Sequence, residues 1–131
     1  MLFRSILINK MENFTKLISY LMHSRTQAHV YHLQTPSFAA HMALNTYYTD
    51  VVEIIDGLVE SYQGKYGILM GYTAPPLMEY ESCEGIQMYF KALATTITQC
   101  RQGIPDSYIQ NQIDTIEELI NSTLYKLKFL K

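Results

Sequence analysis

Apolar residues recur at helical spacing in four stretches of this chain, and all four prolines (Pro36, Pro75, Pro76 and Pro105) fall between those stretches. No stretch alternates with period two as strands require, so the pattern points to an all-α fold of four packed helices. The first stretch runs from Glu12 to about His32, with Phe14, Leu17, Ile18, Leu21 and Ala28 on one face. The segment Thr35-Pro36-Ser37 then offers a capping hydroxyl and a proline at a first helical position, so a second helix follows after a tight turn. Its expected inward face carries Phe38, His41, Leu44, Tyr48, Val52, Ile55, Val59 and Tyr62, and Gly64 and Gly67 are expected to end it.

Residues 65–81 contain two glycines and a Pro-Pro pair and read as a long connection. A bundle with a single crossover needs such a segment between its helix pairs, whereas an up-down-up-down bundle uses short loops throughout. A third helix is expected from Ser82 to Gln102, with Ile86, Tyr89, Phe90, Leu93 and Ile97 inward, and Gly103 stops it. After Pro105-Asp106 a fourth apolar stripe runs through Ile109, Ile113, Ile116, Ile120, Leu124 and Leu127.

The 131 residues supply one sizeable core, so residues 1–131 are read as a single domain. Apolar residues at 48% and charged residues at 17% are a normal globular balance. A net charge of -2 provides no basic field of the kind that nucleic-acid binding needs, and only Arg4 and Lys10 precede the first helix, so DNA is not an expected partner. The apolar run between Arg4 and Lys10 is too short for a signal sequence, and no run is long enough for a membrane helix, so a cytoplasmic protein without a membrane partner is expected. Cys83 and Cys100 have no CxxC spacing, which favours packing roles in a reducing compartment. Neither has a histidine near it in sequence, no serine nucleophile is evident, and no Gly-rich phosphate loop is present, so hydrolase chemistry has no footing.

All four histidines, His23, His29, His32 and His41, lie around the first turn. His29 and His32 share a face of helix 1 that continues its apolar stripe, and His41 falls in the expected apolar face of helix 2, where an imidazole requires a partner. His23 lies off that face and is expected to be exposed. Asp56 and Glu60 are four apart on one edge of helix 2, an arrangement suited to a cation such as iron. Fifteen helical residues separate His41 from Asp56, a span of about 22 Å, so one ion cannot touch both within one chain. Either the two sets serve different sites or they meet between subunits of a homo-oligomer. An intrachain alternative joins His29, His32 and His41 to a carboxylate from helix 3 or 4 and would hold structural zinc. The bland alternative makes these histidines hydrogen-bonded core residues and these carboxylates solvated ones, with Glu117 likewise at a solvated edge and the eleven tyrosines in core and interface.

The spacing His29-x11-His41-x14-Asp56-x3-Glu60, with Phe38 three before the second histidine, resembles the ferroxidase signature of the Dps proteins within the ferritin-like class. The resemblance covers roughly residues 14–64. It implies a ferritin-like four-helix bundle and a site shared across a dimer, histidines from one subunit and carboxylates from the other. Its implied activity is binding and oxidation of ferrous iron, with storage inside a hollow oligomer. The chain departs from the pattern at Val30, where tryptophan usually follows the first histidine, and at Asn45, where a further aspartate often stands. His32 is an additional candidate ligand beside His29. In length, and in the run Tyr62-Gln63-Gly64, the chain also resembles uncharacterised phage-encoded ferritin-like proteins, which implies a virion location and a catalytically silent interaction or structural role as the alternative.

Overall fold

The computed structural model describes the backbone of residues 2–131 and the side chains of residues 9–131. It contains four helices, α1 (Leu2–Gln34), α2 (Phe38–Tyr66), α3 (Cys83–Cys100) and α4 (Ser107–Phe129), and no strand among the described residues. None of the helices is long and apolar enough to cross a membrane among the residues described.

α1 begins well before Glu12, because no glycine or proline interrupts the chain there. At the first turn the cap is Ser37 and not Thr35. The Ser37 hydroxyl accepts from the Ala40 N–H at 3.2 Å, while Thr35 Oγ1 accepts from the Ser37 N–H, so α2 starts two residues later than the proline suggests. Its other end also runs further than expected. A glycine inside a helix costs about 1 kcal/mol, and Gly64 is carried within α2 by the packing of Tyr62 and Tyr66 on either side of it. The stop comes at Gly67, whose φ of 105° is open to glycine alone at little cost and whose N–H caps Gln63 O at 2.9 Å.

Three contacts fix the helix directions. Phe14 stacks on Tyr62 with ring centroids 3.8 Å apart, which sets the first half of α1 against the end of α2. Lys65 and Tyr66 both bond to Asp106, tying the end of α2 to the start of α4. Cys83 Sγ meets Leu127 O at 3.5 Å, so α3 begins where α4 ends. α2 and α3 therefore run parallel to each other and antiparallel to α1 and α4. The main helix pairings are α1 with α2 and α3, and α4 with α2 and α3, which puts α2 and α3 on a diagonal.

A chain leaving α2 and entering a parallel α3 must travel back along the whole bundle, and residues 67–82 do so over α1. The Thr73 N–H donates to Ser19 Oγ, His23 Nε2–H to Pro76 O, the Met78 N–H to Gln27 Oε1 and the Tyr80 N–H to Gln34 Oε1. These four α1 residues lie four, four and seven apart, one stripe of the helix. The result is a four-helix bundle with one crossover. Its centre is filled by Leu17, Leu21, Leu44, Tyr47, Leu58, Ile86, Phe90, Ile97, Ile113 and Ile116.

The buried face of α2 passes through Ala40, Ala43, Leu44, Tyr47, Val51, Ile55, Leu58 and Tyr62. It is rotated from the expected one, with Ala40, Ala43, Tyr47, Val51 and Leu58 buried where Phe38, His41, Tyr48, Val52 and Val59 were expected. His41, Tyr48, Val52 and Val59 then lie half-buried along the edge, and Phe38 is 78% exposed, with Met42 beside it on the outward side.

Candidate metal centre

His32 and His41 face each other across the Thr35-Pro36-Ser37 turn. Their rings stack with centroids 3.6 Å apart and an interplanar angle of 19°. His32 Nδ1 is 2.7 Å from His41 O, and His41 Nδ1 is 2.8 Å from His32 O. A carbonyl oxygen only accepts, so each Nδ1 carries its proton and donates it; in the neutral ring Nε2 is then left with its lone pair. Each histidine thus fixes the tautomer of the other through the backbone. His41, which the sequence left in need of a partner, has two: a carbonyl and a stacked ring.

His29 lies exposed, one turn back along α1, and not inward as its spacing suggested. It stacks on Tyr48 at 4.3 Å and stands 5.9 Å from the His32 ring. The reason is that the inward side of this turn is occupied by Ala28, Tyr31 and His32 itself. Tyr48 is held in turn by donating to Asn45 Oδ1 at 2.8 Å. His29, His32, His41 and Tyr48 therefore form a ring cluster on the α1–α2 edge of the bundle.

Asp56 and Glu60 lie on the outward side of α2, both exposed, with the unbroken helix keeping them about 22 Å or more from His41. The structure brings the imidazoles together and leaves the carboxylates apart from them within one chain. Among the described residues no three His, Cys, Asp or Glu side chains are grouped so as to hold an ion. In particular no carboxylate of α3 or α4 joins the histidines. Glu117 instead pairs with Arg101 at 3.1 Å, in a network that also takes in Asp114 and Gln110.

His23, expected on the surface, is 5% exposed. Its Nε2–H is taken by Pro76 O, so Nδ1 accepts from the Tyr89 hydroxyl at 2.8 Å. Burial pushes the Tyr89 phenol far above its ordinary value, as it does for Tyr47, whose hydroxyl donates to Ser24 Oγ at 2.7 Å while Ser24 donates to Leu21 O. These polar groups are satisfied inside the bundle: His23 ties the crossover and α3 to α1, and Ser24 ties α1 to Tyr47 of α2. The sequence held a signal for them in the four-residue spacing of Ser19, His23 and Gln27, polar residues on a face that otherwise has no reason to be buried.

At the opposite end, the Asp106 carboxyl is held below its ordinary value, first by the Lys65 ammonium and then by the Tyr66 hydroxyl. The same contact raises Lys65. With its carboxylate so engaged, Asp106 precedes α4 without capping it through its side chain.

Comparison with known proteins gives one family. A model described as a family of unknown function (DUF5856) matches residues 32–127, which take in His32, His41, Asp56 and Glu60 and leave His29 outside. No curated protein and no solved structure matches.

Proposed function

The chain belongs to that family of unknown function (DUF5856), and from this position we propose that it is a ferritin-like, Dps-like protein that binds ferrous iron between two copies of itself. In this reading His29 and His41 of one protomer and Asp56 and Glu60 of a two-fold partner hold the ion, and oxidation of that iron is the implied reaction. The observation that carries it is the reciprocal Nδ1–H donation of His32 and His41. A metal-ligating histidine ordinarily donates its other ring N–H to a carbonyl or carboxylate, which fixes the ring and directs the remaining lone pair at the ion. His41 has that arrangement already built, with His32 as the residue that orients it. The single crossover supports the reading as well, since it is the connection that ferritin-like bundles use. Imidazole with two carboxylates is a donor set that iron accepts; zinc would be accepted by the same atoms.

One observation favours a second reading, in which the bundle has kept its shape as an interaction or virion protein without iron chemistry. Asn45 stands where a further carboxylate would, and its side-chain oxygen is committed to Tyr48. Metal titration of purified protein separates the two. Stoichiometric ferrous iron that is lost in His41→Ala, with helix content unchanged, is the expected result. A wild-type protein that takes up neither iron nor zinc sinks the first reading and leaves the second.

A further inference from the structure

Where α2 begins and α4 ends, a groove runs between the two helices. Its floor is made of small residues, Ala39, Ala43 and Thr46, each buried or half-buried. Its rims are large and apolar, Phe38 and Met42 on α2 and Phe129 and Leu130 at the end of α4. These four side chains are exposed, Phe129 by 70%, so the groove holds apolar surface against water. The remaining lining residues are Lys126 and Lys131, with no aspartate or glutamate among them. The ion pairs among the described residues are Lys65 with Asp106 and Arg101 with Asp114 and Glu117, so neither groove lysine is engaged in one. A trough that is apolar along its length and carries only cationic side chains, on a chain whose net charge is -2, is complementary to an apolar anion.

We propose that this groove binds a free fatty acid of medium chain length, with the hydrocarbon along the small-residue floor and the carboxylate at Lys126. From Phe38 to Thr46 the helix rises about 12 Å, the length of an extended chain of about ten carbons. A bare carbon chain can lie on a floor of alanines between rims that belong to neighbouring helices. A partner helix, about 10 Å across, would ride on the rims and leave the floor uncovered. Burial of the methylenes supplies the affinity, and Lys126, half-buried beside the apolar wall, supplies the preference for an anion. The groove lies between α2 and α4, whereas the ring cluster is on the α1–α2 edge, so the inference does not depend on the metal reading.

The test is calorimetric titration of the full-length chain, in chelator at neutral pH, with octanoate, decanoate and dodecanoate below their micelle-forming concentrations. One molecule per chain is expected, with affinity rising about two- to fourfold for each added methylene. Decyltrimethylammonium, which has the same chain length and the opposite charge, should bind at least about tenfold more weakly than decanoate. Lys126→Glu should reverse that order, with circular dichroism unchanged. In methionine-methyl NMR spectra decanoate should shift Met42 and leave Met88, on α3 and outside the groove, in place. No saturable uptake, equal binding of the two amphiphiles, an unchanged preference in Lys126→Glu, or binding without a shift at Met42 would each overturn the proposal. So would binding to phosphatidylglycerol vesicles by a chain that takes up none of the monomeric acids, since the groove would then be a membrane contact.

Discussion

Each of His32 and His41 hydrogen-bonds the other's backbone, so the turn between α1 and α2 and the tautomers of two rings are fixed by one pair of contacts. A second residue-scale device sits at the far end, where the Asp106 carboxylate receives both Lys65 and Tyr66. The folded-state pKa of Asp106 lies below its unfolded value, the usual value being about 3.9. Its contribution to stability is therefore complete above that ordinary value and disappears as pH falls through the depressed one. Asp106→Asn should lower the urea midpoint at neutral pH, and the difference from wild type should shrink as the solution is acidified into that window. A difference that stays constant with pH would mean that the carboxylate's charge is not what ties α2 to α4.

At the scale of elements, the crossover is the segment with most at stake, because residues 67–82 have no helix of their own and lie mostly exposed. What holds them is the polar stripe of α1. Gln27 is fully buried and makes two bonds to the backbone of Met78, as donor at 2.8 Å and acceptor at 2.7 Å. Gln27→Ala leaves a backbone N–H and a carbonyl short of partners, at a cost of about 1–3 kcal/mol. Amide exchange at Met78 should quicken more than at core positions such as Leu44. Equal quickening throughout would show that the side chain supports global stability and not the strap.

For the whole molecule, the diagonal placement of α2 and α3 leaves a centre that large side chains must fill. Phe90 does so from α3, meeting Tyr47 of α2 edge-on at 4.8 Å with no exposure to solvent. Phe90→Ala should cost about 3–5 kcal/mol, read as a fall in the denaturant midpoint with little change in slope. A loss under 1 kcal/mol would mean that the bundle closes over the gap, and that the packing is looser than its burial implies. If two copies pair as proposed, unfolding midpoints should also rise with protein concentration.

Helix number, the long middle connection and the proximity of three histidines to one turn could be read directly from residue spacing, because a 3.6-residue period and the placement of prolines are local properties. The rotation of α2 could not, since the helix turns as one body and the stripe of Leu44, Tyr47, Val51, Ile55, Leu58 and Tyr62 takes the inside, carrying Ala40 and Ala43 in and Phe38 out, only when the neighbouring helices are in place. The same holds for His23 and His29. Sequence put the first on the surface and the second toward the core, and each was reversed by what packs over it: the crossover strand of chain covers His23, while Ala28, Tyr31 and His32 take the inward side beside His29. Spacing along a helix fixes which residues share a face; which way that face turns is decided by the partners it meets, and those are contributed by segments distant in the chain.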